Sequence, residues 1–175
     1  MVISLIGLSS SGKSAVGQEL VQRFKAQHPN TVLLDGDALR ATIAPDLGHT
    51  YEDRRESEAR RSKLCKLLAD QGIHVVLAGL SNYPKWRQWC RDHITEYFEV
   101  YLHVPMDVLI QRDRKGIYKQ AQQGNLTNVV GIDIPFEPPD SPDLTVDNTG
   151  EISINQVVRR ILNSISRRFN ITFNA

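Results

Sequence analysis

A short apolar run, Val2, Ile3, Leu5 and Ile6, leads directly into Gly7-Leu8-Ser9-Ser10-Ser11-Gly12-Lys13-Ser14. The octet satisfies the phosphate-loop pattern G-x-x-x-x-G-K-[ST], in the strand, glycine loop and helix setting that the pattern requires. Gly7 and Gly12 allow the backbone to turn so that the amides of Ser9, Ser10 and Ser11 point inward, and the helix opening near Lys13 adds its positive end to the same concavity. A polyphosphate fits such a cradle. Lys13 reaches the outer phosphates as a point charge, and the Ser14 hydroxyl is placed to enter the shell of a magnesium ion carried by the nucleotide.

The 175 residues fit one domain, spanning 1–175. The 21 basic and 20 acidic side chains nearly cancel, so no global field draws the chain to nucleic acid or an anionic membrane. No run approaches the roughly 18 apolar residues of a membrane span, and no charged-then-apolar leader precedes the first strand, so a cytoplasmic protein is expected. Cys65 and Cys90 lack metal-ligand spacing and read as free, structural thiols.

Apolar residues Val16, Leu20, Val21 and Phe24 recur at helical spacing, and Pro29-Asn30 closes that helix before a strand over 31–34. Thr50 and Asp53 form a capping-box pattern that opens a long charged helix running to Gly72. Strands are expected over 73–78, 98–104 and 144–146, and Thr149 is expected to cap a final helix striped by Ile154, Val157, Val158, Ile161, Leu162 and Ile165. Alternating strands and helices imply an α/β three-layer sandwich with a mainly parallel sheet, whose ligands collect at the carboxyl ends of the strands.

Those ends carry the chemistry. After the second strand comes Asp35-Gly36-Asp37, then Arg40. Two carboxylates bracketing a glycine either form a turn or serve phosphoryl transfer, one beside magnesium and the other taking the acceptor's hydroxyl proton. Arg54, Arg55, Arg60 and Arg61, interleaved with Glu52, Glu56 and Glu58, read as a solvated helix face laced by i, i+4 pairs. Ser81, after the third strand, either touches a phosphate or caps a turn. Arg112 to Lys119 is a basic segment able to close over phosphates and exclude water, and the proline-rich stretch over 135–142 is expected to wrap the surface near the site.

Taken in order, Gly7-Leu8-Ser9 with Gly12-Lys13-Ser14, Leu34-Asp35-Gly36-Asp37 with Arg40, Asp46-Leu47-Gly48, Asp53-Arg54, Arg112-Asp113 with Lys115-Gly116, Tyr118-Lys119 and Gly131-Ile132-Asp133 before Pro135 resemble the adenylylsulfate kinases. These are P-loop kinases with a nucleoside-kinase-like fold that transfer the terminal phosphate of ATP to the 3′-hydroxyl of adenylyl sulfate. The resemblance implies ATP as donor, magnesium as cofactor, a small nucleotide as acceptor and a homodimer. It assigns Lys13 and Ser14 to phosphates and metal, Asp35 to the magnesium side, Asp37 to deprotonation of the acceptor, and Arg40 and Arg54 to the acceptor's phosphosulfate end. Arg112 and Lys115 to Lys119 match the lid, and Ser57, Leu80, Ser81, Lys119, Gly131 and Ile132 fall at acceptor-side positions. Arg55 and Arg61 keep the solvated reading. His49 and Val129 stand where the family clamps the adenine between phenylalanines, and a lysine near Thr127 is missing. Base selectivity is therefore open, with cytidine diphosphoramidate, the acceptor of a relative, as the alternative. A regulatory nucleotide-binding module is disfavoured by the retained general-base candidate, and a switch GTPase by the lack of an Asn-Lys-x-Asp motif.

Overall fold

The computed structural model describes residues 1–173. Strands β1 (Val2–Ile6), β2 (Thr31–Asp35), β3 (His74–Gly79), β4 (Tyr97–His103) and β5 (Leu144–Asp147) form a parallel sheet in the order β2-β3-β1-β4-β5. Helices α1 (Lys13–Lys25) and α7 (Ile154–Phe169) cover one face, burying Val16, Leu20, Phe24, Val157, Ile161 and Ile165 against Ile3, Leu5 and Val100. On the other face, α2 (Gly36–Ile43), α3 (Tyr51–Asp70) and α4 (Pro84–His93) bring Leu39, Cys65 and Cys90 against Val2, Val75 and Leu77. Each fully buried aliphatic or aromatic side chain contributes about 1.5–3 kcal/mol, and the central strand is buried at every position because both faces are covered. Cys65 and Cys90 are both free and buried, as expected.

Register aligns the functional edge. Ile6 pairs with Gly79, and Asp35 with Ala78, so the loops after β1, β2 and β3 emerge side by side. A smaller apolar cluster of Val104, Leu109, Tyr118 and Val129 packs α5 (Met106–Gln111) and α6 (Ile117–Gln122) beside Leu8 of the first loop. Among the described residues, no helix is long and apolar enough to cross a membrane.

Three local expectations need correction. The last helix is capped by Ser153, not Thr149: Ser153 Oγ accepts from the Gln156 amide at 3.3 Å and Gln156 Oε1 accepts from the Ser153 amide at 2.8 Å. This reciprocal box lies one turn before the buried stripe, which starts at Val157 because Ile154 is exposed. The long helix ends at Asp70, because Gly72 takes a left-handed φ of 77° that turns the chain into β3. Its Thr50-Asp53 capping box forms as read. The third correction concerns its charged face. Arg55 and Glu56 are exposed, but Glu58 and Arg61 are buried.

Candidate active site

The loop after β1 owes its shape to two glycines. A methyl group at Gly7 would stand 2.9 Å from the Leu102 carbonyl oxygen and 2.7 Å from Ser11 Oγ. One at Gly12, where φ is 91°, would meet Asn148 Nδ2 at 2.7 Å. Ser10 also adopts a left-handed φ of 64°, the alternation that turns successive amides into an anion-binding nest. Lys13 Nζ donates to the Leu8 carbonyl at 2.6 Å and to Ser11 Oγ at 3.3 Å, folding the ammonium over the loop. Burial pushes its pKa from 10.5 down to about 8, partly opposed by Asp37 and Asp35.

Asp35 has two partners. One carboxylate oxygen accepts from Ser14 Oγ at 2.6 Å, and the other caps α2 by accepting from the Asp37 amide at 3.0 Å. The Ser14 hydroxyl and the Asp35 carboxylate thus form an all-oxygen pair suited to a small hard cation such as magnesium. Asp37 projects from the first turn of α2 and pairs with Lys115, tying the basic segment across the site. Both side chains are exposed, so the pair adds at most about 1 kcal/mol and is easily exchanged.

Beyond Asp37 the predicted acceptor residues gather around Arg40 and Arg54. Arg40 donates to the Gly48 carbonyl. Arg54 Nε donates to the His49 carbonyl at 2.9 Å and its Nη2 to the Asn128 carbonyl at 2.7 Å. Arg54 therefore fastens the 128–134 turn, which holds Gly131 and the exposed Ile132, to the start of α3. Partial desolvation, with Arg40 and Arg54 nearby, holds the His49 imidazole below its ordinary pKa. Ser57 is buried on the inner face of α3, and Leu80 is half-buried. Ser81 is buried with φ of 48°, its carbonyl accepting from Arg87 Nη1 at 2.7 Å.

Four residues sit differently from a simple lining role. The Val129 side chain is 4% exposed and packs in the cluster with Tyr118 and Leu109. Arg112 is occupied by the β5–α7 connection, donating to the Asn148 carbonyl at 2.7 Å and to the Thr149 carbonyl. The Lys119 side chain is exposed on α6. Asp113 caps that helix, accepting from the Ile117 and Tyr118 amides at 3.0 and 2.7 Å. The proline-rich stretch lies over the end of β3, where Asn82 Nδ2 donates to the Pro135 carbonyl at 3.1 Å and Arg87 Nη1 to that of Glu137 at 3.1 Å.

Asn148 escaped the sequence reading. Its Nδ2 donates to the Ser11 carbonyl at 2.8 Å, bracing the loop from β5. Its place just past a strand end was the available signal. Asn148→Ala leaves a buried carbonyl unpaired, and we expect thermal denaturation to show a loss of about 1–3 kcal/mol together with weaker ATP binding. Tyr118 supports the loop from the other side, its hydroxyl donating to the Ser9 carbonyl at 3.0 Å.

The adenylylsulphate kinase family model matches residues 1–147. The chain belongs to the adenylylsulphate kinase family. It is 38% identical over 169 residues to the adenylyl-sulfate kinase of Vibrio cholerae, covering 95% of this chain and 78% of that one. It is also 35% identical over 168 residues to the cytidine diphosphoramidate kinase of Campylobacter jejuni, covering 94% of this chain and 96% of that one. Among solved structures, the Mycobacterium tuberculosis APS kinase in complex with AMPPNP and APS superposes with a TM-score of 0.85 at 34% identity, covering 94% of this chain and 96% of that one. The adenylylsulphate kinase fold is thus the three-layer sandwich described above, and its phosphate loop and the Asp35-Gly36-Asp37 turn fall inside the matched span.

Proposed function

We propose that this family member transfers the terminal phosphoryl group of ATP to the 3′-hydroxyl of a nucleotide bearing an anionic 5′ group, with adenylyl sulfate as the acceptor. The observation that carries this reading is the juxtaposition, at one sheet edge, of the Lys13 loop, the Asp35 and Asp37 carboxylates, and the Arg40–Arg54 guanidinia. Lys13 and the loop amides hold the β- and γ-phosphates. Ser14 and Asp35 are the residues that would hold magnesium, which when bound neutralises charge on the phosphates. Asp37 releases Lys115 and accepts the proton of the 3′-hydroxyl. The oxygen then bonds to the γ-phosphorus as the bond to the β-phosphate oxygen breaks, its electron pair leaving with ADP. Arg40 and Arg54 orient the acceptor by its anionic end. The Lys115 segment excludes water that would otherwise take the phosphoryl group.

Cytidine diphosphoramidate is a second reading, favoured by the similarity to the Campylobacter jejuni kinase and by Val129, which offers no aromatic face for a base. Base stacking on an aromatic contributes about 1–3 kcal/mol, enough to change which base is preferred without touching the chemistry. The test is phosphoryl transfer from labelled ATP with magnesium to adenylyl sulfate, cytidine diphosphoramidate and their 3′-deoxy analogues. We expect transfer to adenylyl sulfate and none to any 3′-deoxy analogue. Reaction with a 3′-deoxy analogue, or with neither acceptor, overturns the reading.

A further inference from the structure

Beneath the Asp35-Gly36-Asp37 turn lies a charge that the steps above do not use. Arg61 is 7% exposed and Glu58 4%, and their closest approach, Nη2 to Oε2, is 3.7 Å. That is an ion pair without a hydrogen bond. Glu58 Oε1 accepts from the Tyr83 amide at 3.4 Å, whereas Glu58 Oε2 and Arg61 Nε are buried with no hydrogen-bond partner among the described residues. Buried polar atoms are ordinarily satisfied. The two residues border a cavity of about 10 Å³ together with Ser81 and Arg87, room for roughly one water.

The position of the guanidinium points to a ligand. Arg61 Nη1 lies against the carboxyl ends of β2 and β3: a methyl group at Gly79 would stand 2.7 Å from it, and one at Gly36 3.5 Å. Glycine at 79 thus makes room for this side chain at the place where acceptors are expected. Burial is the main cause that lowers the proton affinity of Lys13, Arg40 and Arg54, and the Arg61 charge adds to it at each. Burial pushes the Glu58 pKa up, against the pull of Arg61 beside it. Arg61 thus adds a fourth cation to Lys13, Arg40 and Arg54 at strand ends that also carry Asp35 and Asp37.

We propose that Arg61 is a recognition residue for the acceptor, its guanidinium forming the floor of the pocket and hydrogen-bonding an oxyanion of a doubly charged group on the nucleotide's 5′ carbon. The proposal rests on the acceptor-site reading above. Glu58 is the positioning residue that holds Arg61 from behind.

Arg61→Met alone strands a buried carboxylate and threatens the fold. The test therefore uses Glu58→Gln with Arg61→Met, which keeps an acceptor for the Tyr83 amide and fills the volume, beside Glu58→Gln alone. With the donor site saturated by ADP and magnesium, calorimetry measures binding of adenylyl sulfate and cytidine 5′-diphosphate against adenosine and cytidine. We expect the double variant to lose about 10- to 100-fold in affinity for the better-bound charged ligand, and to bind the uncharged nucleosides within about twofold of the unaltered protein. Glu58→Gln alone should retain most of the charged-ligand affinity. An equal loss for charged and uncharged ligands, no loss for either, or an unaltered protein that does not prefer charged ligands overturns the proposal. Binding is read without turnover, so a protein that discriminates in this way yet phosphorylates nothing refutes the kinase reading alone.

Discussion

Lys13→Met should lower kcat by about 10²- to 10³-fold and make the melting temperature of the free protein, relative to that of the unaltered protein, higher near pH 7 than near pH 10. The two effects share one cause. The ammonium sits in the loop, satisfied by the Leu8 carbonyl and Ser11 Oγ, with its pKa lowered from 10.5 to about 8 by burial. A base whose pKa is depressed by folding is worse off charged in the fold than in the unfolded chain. The penalty is complete below pH 8, shrinks as pH rises from 8 to 10.5, and vanishes above that range. The shift corresponds to about 3 kcal/mol before screening, and to about 1–2 kcal/mol once the partial exposure of the side chain is allowed for. Methionine keeps the stem and removes the charge, at the separate cost of the bond to the Leu8 carbonyl, so the melting temperature of the variant relative to that of the unaltered protein should be highest near pH 7 and fall toward pH 10. On the proposed mechanism the donor's polyphosphate supplies a partner for this ammonium, so the same charge is needed in turnover. Residual activity above about a tenth of the unaltered enzyme, or a relative melting temperature no higher at pH 7 than at pH 10, would refute this account.

The loop, the sheet and the Asp35-Gly36-Asp37 turn were legible because each obeys a local rule. A glycine pattern demands a particular backbone, unbroken apolar runs demand a sheet covered on both faces, and strand ends demand attention in a parallel sheet. Arg61 was misread for an equally physical reason. Charge density over 51–61 suggested solvent, yet Arg54, Glu58, Arg61, Cys65 and Leu68 recur at helical spacing and share one face. Periodicity carried the answer, and residue type obscured it. Arg112 was legible as part of a basic segment, but its commitment to the carbonyls of Asn148 and Thr149 depends on a long-range contact that no local pattern encodes. Val129 is similar. Its burial follows from how α5 and α6 pack beside the first loop, and a phenylalanine there would have to displace Leu109 or Tyr118, an overpacking cost of about 1–3 kcal/mol.

Asp37→Asn and Asp35→Asn should both cripple phosphoryl transfer, and the way each fails should separate their roles. Among the described residues the Asp37 carboxylate is bonded only to the exposed Lys115, and its amide donates to the Asp35 cap. Asparagine there leaves the fold within about 1 kcal/mol of the original, because exposed ion pairs contribute little. On the proposed mechanism it removes the group that takes the hydroxyl proton, so kcat should fall about 10²- to 10⁴-fold with the KM for ATP nearly unchanged. Asp35 is tied at both oxygens, to Ser14 Oγ and to the Asp37 amide. Asparagine is as good a helix cap as aspartate, so α2 should survive the change. What is lost is a hard anionic oxygen beside Ser14, and the magnesium concentration for half-maximal rate should rise at least about tenfold. Titrating magnesium at saturating ATP for both variants decides the matter. A raised magnesium requirement in the Asp37 variant and not in the Asp35 variant would exchange their roles, and an unchanged kcat in the Asp37 variant would remove the general base from the mechanism.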